Sequence, residues 1–370
     1  MNMTPPLYEQ IYRELLCDIQ SHRYDKQALP SERELCERYG VSRITARRAM
    51  SMLQERGYIE RQRGRGSFVK QPSPGSPSCP AVRPTAIGFI LPSFSYNYGS
   101  YLVTGVDEAC RNADCTMLLR TSGHQLSTES QAIEQLLKSG ADGLIIMPQH
   151  NNYFNPAVLR LVVDNFPLVI VDREMRGVQA PFVGTNNHEI SRKATSLLLD
   201  LGHHEIAFMS SDIRTASTLK ERFSGFKDAF FQRKRLWNEA CLLNDLRSTV
   251  PGYDTEQQTS ADRQRIQKFL QRNRNITAIF ATEYALAQLI LSTLHEMDLQ
   301  VPRHISLLGF DGPAEVKGDS FLCRVVQAEA DIGRQAVQVL RQRIMGLPCE
   351  QRTLLPAHVL RLPSVGPAPI

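Results

Sequence analysis

Short apolar runs alternate with amphipathic stretches through most of this chain. The amphipathic stretches have helical spacing, as at Leu102, Val106 and Cys110. This alternation is typical of parallel sheets whose faces are covered by helices, so we predict an α/β fold. Because about 285 residues exceed one typical sheet domain, we expect two lobes. The predicted strands are AIGFIL (86–91), TMLLR (116–120), GLIIM (143–147), LVIVD (168–172), IAFMS (206–210), AIFAT (278–282) and ISLLGFD (305–311).

The first 70 residues follow a different pattern, with three helices and then a hairpin. Ser31 and Glu34 form a Ser-x-x-Glu capping box, which starts the second helix. Ser42 starts the third helix, whose buried stripe repeats at helical spacing. Two strands follow over 58–61 and 67–69, joined by a basic turn. We therefore predict a small α+β domain of the winged-helix type.

A linker separates these two parts. Residues 71–84, QPSPGSPSCPAVRP, contain five prolines, three serines and one glycine, which exclude a regular helix or a central strand. The predicted organisation is a winged helix over 1–70, a linker over 71–84 and a two-lobed domain over 85–370.

The composition excludes several classes of protein. With 42% apolar and 22% charged residues it is typical of a soluble globular chain. No run of 18 apolar residues occurs and the N-terminus lacks the order of a signal peptide, so we expect a cytoplasmic protein with no membrane partner. The eight cysteines form no Cys-x-x-Cys pair, and His203-His204-Glu205 lacks the spacing of a helical zinc site. The sequence therefore predicts reduced thiols, no metal and no cofactor.

Positive charge is concentrated in one short segment. Residues 38–70 hold nine basic and two acidic residues, whereas the chain beyond residue 70 is close to neutral. Such a segment predicts a module that binds a polyanion. Arg43 and Arg47 lie one turn apart on the third helix, where an arginine fork can bind guanine or phosphate. The small basic turn suits the minor groove of DNA. The alternative is a solvated basic helix face.

The segment LPSERELCERYGVSRITARRAMSMLQERGYIERQRGRGSFV resembles the winged helix-turn-helix of the GntR family of regulators, over about residues 5–70. The resemblance implies operator contacts by Arg33, Arg43, Arg47 and the wing glycine Gly64. The full predicted DNA-binding set is Arg33, Ser42, Arg43, Thr45, Arg47, Arg48, Arg63, Gly64 and Arg65. The implied partner is double-stranded operator DNA.

The remainder, about residues 85–362, resembles the LacI/GalR regulators and the sugar-binding periplasmic proteins. The motifs that carry the resemblance are Ile87-Gly88-Phe89-Ile90, Gly140-Ala141-Asp142-Gly143-Leu144-Ile145, Val171-Asp172-Arg173, Leu201-Gly202-His203-His204-Glu205-Ile206-Ala207, Glu221-Arg222-Phe223-Ser224-Gly225-Phe226 and Leu308-Gly309-Phe310-Asp311. The resemblance implies two Rossmann-like lobes, three crossovers and a ligand cleft at the carboxyl ends of the strands.

Several side chains near the predicted strand ends are suited to a sugar. Asp172 and Asp311 each end an apolar run, and Arg222 follows in an amphipathic stretch. Carboxylates and an arginine bind vicinal hydroxyls in pairs, and an aromatic face packs on the C–H face of the ring. The predicted effector-binding set, completed by the resemblance, is Tyr96, Tyr98, Gly99, Gln149, Asp172, Arg173, Thr218, Arg222, Thr282, Glu283, Asp311 and Gln327.

Three alternatives to this site stay open at the level of sequence. Asp172 would then cap a helix, Arg222 would be a surface charge, and the tyrosines would serve packing or a dimer surface. Thr282 also departs from the family, which commonly has Asn-Asp where this chain has Thr282-Glu283. A threonine lacks the paired donor and acceptor of an amide, so the ligand is expected to differ from the common pentoses and hexoses, with Glu283 as a substitute contact.

The predicted function is a homodimeric transcriptional regulator, a repressor, whose operator affinity is set by a small sugar-like effector. With only Arg173 and Arg222 in position, a neutral sugar is favoured over a phosphorylated one, and a purine stays open. An enzyme is disfavoured because the sequence has no nucleophile elbow, Walker loop or His-Glu-x-x-His motif. The second hypothesis is a DNA-binding dimeric scaffold whose second domain no longer binds a ligand.

Overall fold

In a computed structural model, the chain divides into two compact units, Met1–Arg83 and Pro84–Ile370. The structure describes residues 7–20, 23–24, 28–55, 57–62, 65–70, 84–95, 97–149, 154–313 and 321–369. The predicted linker lies outside the described residues except for Pro84.

The N-terminal unit contains the three helices and the hairpin that the sequence predicts. The elements are α1 (Leu7–Gln20), α2 (Glu32–Tyr39), α3 (Arg43–Glu55), β1 (Ile59–Gln62) and β2 (Gly66–Val69). The capping box is formed at the start of α2, because the Ser31 hydroxyl accepts from the Glu34 amide while the Glu34 carboxylate accepts from the Ser31 amide. Strands β1 and β2 pair antiparallel, and Ile59 of β1 joins Leu35 and Leu53 in the core of this unit.

The C-terminal unit alternates strands and helices along its whole length. Its elements in chain order are β3 (Thr85–Leu91), α4 (Ser100–Asn112), β4 (Cys115–Thr121), α5 (Leu126–Lys138), β5 (Gly143–Ile146), α6 (Pro156–Val163), β6 (Leu168–Val171), β7 (Phe182–Thr185), α7 (Asn187–Asp200), β8 (Ile206–Met209), α8 (Ser217–Gln232), β9 (Leu242–Leu243), α9 (Glu256–Arg272), β10 (Ala278–Ala281), α10 (Tyr284–Glu296), β11 (Ser306–Phe310), β12 (Cys323–Val326), α11 (Glu329–Ile344), β13 (Arg352–Leu355) and β14 (His358–Leu360).

These strands form two six-stranded sheets, one in each lobe. The first lobe has the order β13-β7-β6-β5-β3-β4, with every pair parallel. The second has the order β14-β12-β11-β10-β8-β9, in which only the edge strand β14 is antiparallel. Each sheet is buried on both faces: on β3, Phe89 belongs to one apolar cluster and its neighbour Ile90 to another. The predicted α/β class with two lobes is confirmed.

The chain crosses between the lobes three times, from β7 to α7, from β12 to α11 and from β13 to β14. The number of crossovers that the resemblance implies is therefore confirmed. After the second crossover, α11 packs on α4 of the first lobe, where Gly105 and Gly333 permit a close approach. A Cβ built at Gly105 would lie 2.1 Å from the carbonyl oxygen of Ala330. The crossovers bring the carboxyl ends of both sheets to the boundary between the lobes.

Candidate functional sites

A basic groove of about 900 Å³ is formed by α2, α3 and the hairpin of the N-terminal unit. Its walls include four of the predicted DNA-binding arginines, namely Arg33, Arg43, Arg47 and Arg65. Arg48 does not line this groove, since its guanidinium lies 4.8 Å from the centre of the Tyr8 ring on α1. Arg63 and Gly64 lie outside the described residues.

The start of α3 is held by its own side chains. The Ser42 and Thr45 hydroxyls are 2.9 Å apart, and the Ser42 hydroxyl accepts from the Thr45 amide. These hydroxyls fix the first turn of the helix that would enter the major groove, so they position Arg43 relative to the rest of the groove.

Two groove residues were not singled out by the sequence analysis. Arg61 on β1 pairs with Glu32 at 2.9 Å, and Glu32 also faces Arg47 at 3.6 Å. Ile44 is 80% exposed. The signal for Ile44 was present in the sequence, because this position falls outside the buried stripe of α3 that contains Ala46, Ala49, Met50 and Leu53.

The cleft of the C-terminal unit is lined by side chains that follow the ends of its strands. Asp172 follows β6 with a φ of 64°, which turns its carboxylate away from the strand path. The Tyr98 hydroxyl donates to this carboxylate at 2.6 Å, and Arg173 lies 3.5 Å from it. Arg173 also donates to the Pro148 carbonyl at 2.8 Å. Asp172 is thus held by the first lobe and does not cap a helix, because the next described helix begins at Asn187.

The second lobe contributes a buried arginine. Arg222 on α8 is 5% exposed, which excludes the surface-charge alternative. It donates to the Asn187 side chain at 2.8 Å and to the Thr282 carbonyl at 2.6 Å. Its guanidinium lies 3.8 Å from the Asp311 carboxylate and 3.4 Å from the centre of the Phe310 ring. The arginine is therefore preorganised at the end of β11, where Asp311 has a φ of 67°.

Burial of carboxyl groups dominates the electrostatics of the cleft. It raises the pKa of Asp311 to about 6 despite the positive charge of Arg222. It also raises the pKa of Glu283, which the charges of Arg222 and Arg173 oppose. The pKa of Tyr98 is raised well above its ordinary value because of burial and then the negative charge of Asp172. Several acidic groups therefore share a site with two arginines.

Glu329 is a cleft residue that the sequence analysis missed. It is the first residue of α11, and its carboxylate accepts from the Gly99 amide at 2.7 Å. The pKa of Glu329 is raised to about 7, mainly by burial; the hydrogen bond from the Gly99 amide opposes this shift, and the negative charges of Asp311 and Asp172 add to it. This contact joins the loop that contains Tyr98 to the second crossover. An acidic residue at a helix start is too common a pattern to have identified it.

Two predicted effector contacts have buried polar atoms that lack a partner. Among the described residues, neither Thr282 Oγ1 nor Gln327 Oε1 accepts or donates a hydrogen bond. The amide nitrogen of Gln327 donates to Asp311 at 2.5 Å. Buried polar atoms of this kind need an explanation, and a ligand hydroxyl would supply one.

The other predicted contacts occupy nearby positions. Gln149 reaches the Ser122 hydroxyl at 3.4 Å and lines a small pocket with Arg173, whereas Thr218 is buried on the first turn of α8. Tyr96 lies outside the described residues. The lobes meet across the cleft, because the Gly312 amide donates to the Asn97 carbonyl at 2.9 Å.

The described residues give no indication of a metal centre. No group of three or more His, Cys, Asp or Glu side chains among them is arranged to hold an ion. His203 bonds to Thr277 and to the Gly366 carbonyl, both at 2.9 Å. Of the described helices, none is both long and apolar enough to span a membrane.

Comparison with known proteins places both units in families. Residues 87–348 match the periplasmic binding protein domain, and residues 7–69 match the bacterial regulatory proteins of the gntR family. An arabinose metabolism transcriptional repressor of Geobacillus stearothermophilus is 28% identical over 364 residues, which cover 95% of this chain and 93% of that protein.

Solved structures share the fold. The transcription regulator CcpA of Lactococcus lactis has a TM-score of 0.65 at 21% identity, covering 76% of this chain and 99% of that one. A complex of the transcriptional regulator CelR with cellobiose has a TM-score of 0.65 at 19% identity, covering 91% and 100%. The chain therefore belongs to the periplasmic binding protein domain family, and it is a transcriptional regulator rather than an enzyme, with a gntR-type DNA-binding domain ahead of that domain.

Proposed function

We propose that this protein is a homodimeric repressor whose affinity for operator DNA is controlled by a neutral sugar bound in the cleft. The observation that carries the effector half is the pair of strand-end acids, the buried Asp172 and the largely buried Asp311, with Arg222 beside Asp311. The relative from Geobacillus is named a repressor of arabinose metabolism, which supports both repression and a sugar. A repressor acts on chromosomal DNA, so the proposal also assigns the protein to the cytoplasm.

The DNA-binding half of the proposal rests on the basic groove. Arg43 and Arg47 lie on α3, the helix that enters the major groove in winged helices, and their forks match guanine edges and phosphates. Glu32 pairs with Arg47 and Arg61, and a DNA phosphate would compete with the Glu32 carboxylate for both arginines. Phosphate contacts supply most of the affinity and make it depend on salt.

A neutral sugar is favoured by the charge balance of the cleft. Arg222 faces Asp311 and Arg173 faces Asp172, so each cation already has an anion beside it. A phosphate would need cations that are not neutralised in this way. Hydroxyl groups, in contrast, both donate to the carboxylates and accept from the arginines, and they satisfy Thr282 Oγ1 and Gln327 Oε1.

The proposed coupling passes through closure of the cleft. A sugar that contacts both lobes favours the closed arrangement, and closure changes a dimer surface that both lobes share. Two winged helices on a dimer match a two-fold symmetric operator. A coupling of about 1–3 kcal/mol changes operator affinity by about 5- to 150-fold.

The direct test is fluorescence anisotropy with the full-length protein and duplexes from the DNA upstream of its own gene. We expect saturable, sequence-selective binding that weakens at least about fivefold when a bound sugar is added. Arg43→Ala should reduce the affinity, whereas Arg38→Ala, an arginine that pairs with Glu14, is the matched control. The slope of log affinity against log salt is negative, and each lost phosphate contact reduces its magnitude by about 0.9.

The outcomes separate the two hypotheses. Selective DNA binding that no sugar changes would favour a dimeric scaffold without a ligand, for which the substitution of Thr282 is the motivating observation. Absence of selective DNA binding would refute the regulator itself.

A further inference from the structure

A second cavity, of about 440 Å³, lies within the second lobe. It is bounded by the turn after β8 and by the loop between β9 and α9, and it is closed at one side by Glu283. Its volume is within the range of about 300–1,000 Å³ that is usual for small-molecule sites. Apart from Glu283, none of its lining residues belongs to the predicted effector-binding set.

The cavity adjoins the cleft at two points. Glu283 lines the cavity, yet its carboxyl group is also close enough to Arg222 and Arg173 for their charges to act on its pKa. Thr215 lines the cavity and also the small pocket that contains Gln149 and Arg173. A ligand held between the lobes therefore has a neighbouring space to extend into.

The cavity presents one aromatic face. Tyr253 is 48% exposed, although aromatic residues usually bury most of their surface. The Arg247 guanidinium lies 5.8 Å from the centre of the Tyr253 ring, and the Tyr253 amide donates to the Val250 carbonyl at 3.0 Å. A half-exposed ring whose backbone is held by a turn is suited to pack on the C–H face of a sugar.

The charges of the lining argue against a phosphate. Asp212 binds the Arg214 guanidinium through two bonds of 3.0 and 2.8 Å, and the charge of Arg247 also acts on Asp212. Asp245 and Glu283 add further negative charge to the same walls. Three carboxyl groups and two arginines line the cavity, so it has no net positive charge with which to hold an anion, and this suits a neutral polyol.

We propose that this cavity receives a second sugar unit, so that the effector is a disaccharide or a glycoside rather than a monosaccharide. The first unit lies between Asp172, Asp311 and Arg222, and the second packs on Tyr253 beyond Glu283. This inference depends on the proposed sugar effector and narrows its class.

The test is isothermal titration calorimetry on the full-length protein. The probes are L-arabinose with arabinobiose, D-glucose with cellobiose and maltose, and D-xylose with xylobiose. We expect at least one disaccharide to bind at least about tenfold more tightly than its component monosaccharide, a difference of about 1.4 kcal/mol. Tyr253→Ala should abolish that difference and leave monosaccharide binding within about twofold, because it removes only the second contact.

Two further variants separate stacking from folding. Tyr253→Phe retains the ring and should keep the disaccharide preference. Phe231→Ala removes another aromatic of the same lobe, 75% exposed and outside the cavity, and should change neither affinity.

Three outcomes would overturn the inference. A monosaccharide that binds as tightly as every disaccharide containing it would show that the cavity contributes nothing. Equal weakening of both ligands by Tyr253→Ala would place the ring in the first subsite. In either of these cases, a monosaccharide that still binds leaves the proposed sugar effector standing. The third outcome, a protein that binds DNA but no saccharide, would refute the sugar effector together with this inference.

Discussion

At the scale of single residues, Ile44 is the one large apolar side chain outside the buried core among the described residues that line the basic groove. The feature of the DNA major groove that attracts an apolar side chain is the C5-methyl group of thymine. Ile44 follows Arg43 at the start of α3, the part of a recognition helix that lies nearest to the bases.

We therefore predict that Ile44 contacts a thymine methyl. Replacing thymines by uracil one at a time in a duplex selected by the protein should weaken binding at one position in each half-site. The loss should be about fourfold, because burial of one methyl group contributes about 0.8 kcal/mol. In Ile44→Ala the same replacement should have no further effect, while Leu7→Ala, an exposed leucine on α1, should behave like the wild type. Equal sensitivity to uracil in wild type and Ile44→Ala would contradict the assignment.

The second prediction at this scale concerns the effect of replacing Arg222 on sugar binding and on stability. Arg222→Ala removes the donor to Asn187 and to the Thr282 carbonyl and leaves Asp311 buried without its cation. Sugar binding should be lost, and the free energy of unfolding should fall by about 3–5 kcal/mol. Calorimetry and urea denaturation measure the two effects. Arg160→Ala on the exposed face of α6 is the control, and unchanged sugar affinity in Arg222→Ala would exclude the cleft as the site.

At the scale of elements, the contact between α4 and α11 depends on two glycines. Gly105 faces the Ala330 carbonyl, and Gly333 faces the Leu102 carbonyl, so both helices approach through backbone atoms. This packing fixes the start of α11, where Glu329 holds the Gly99 amide.

We predict that Gly105→Ala destabilises the C-terminal unit by about 1–3 kcal/mol, since the new methyl group must push the helices apart. Urea denaturation followed by the fluorescence of Trp237 in the second lobe reports the loss. Thr104→Ala alters the exposed neighbour on α4 and should have a much smaller effect. If both variants unfold at the same urea concentration, the close approach of these helices has no energetic role.

At the scale of the whole molecule, two buried acids link the stability of the C-terminal unit to pH. The pKa of Glu329 is raised to about 7 and that of Asp311 to about 6. Since the folded protein retains these protons to a higher pH than the unfolded chain, their contribution to stability is complete below the unfolded pKa values. It is lost as the pH rises through about 6 and 7.

We therefore predict that the free energy of unfolding falls between about pH 4.5 and 7, by about 3 kcal/mol for Glu329. Glu329→Gln stays neutral and can still accept from the Gly99 amide, so the part of this pH dependence that Glu329 contributes should disappear, while the part from Asp311 remains. Urea denaturation at several pH values measures it, with the exposed Glu350→Gln as control. A variant that keeps the full slope would show that Glu329 is not the group that titrates.

Much of the fold followed from local pattern. The apolar runs 143–146 and 206–209 form strands that are buried on both faces of a parallel sheet. An uninterrupted apolar run predicts such a strand, because neither face has to meet water. Strand β12 was not predicted because Arg324 interrupts its run, yet that arginine is fully buried and donates to the carbonyls of Leu322 and Pro313. Strands β7, β9, β13 and β14 are short and take their state from the strands they pair with.

The sequence by itself determined the α/β class, the winged helix, the charge of its recognition helix and the two strand-end acids. Each of these is encoded by residues close together in the chain, through periodicity, capping and local charge. Only the tertiary structure decided that Asp172 and Asp311 meet Arg222 and Glu329 at one cleft, and that Tyr253 faces a cavity beside it. Those groups are far apart in sequence, and the three crossovers, together with the close contact of α4 and α11, bring them together.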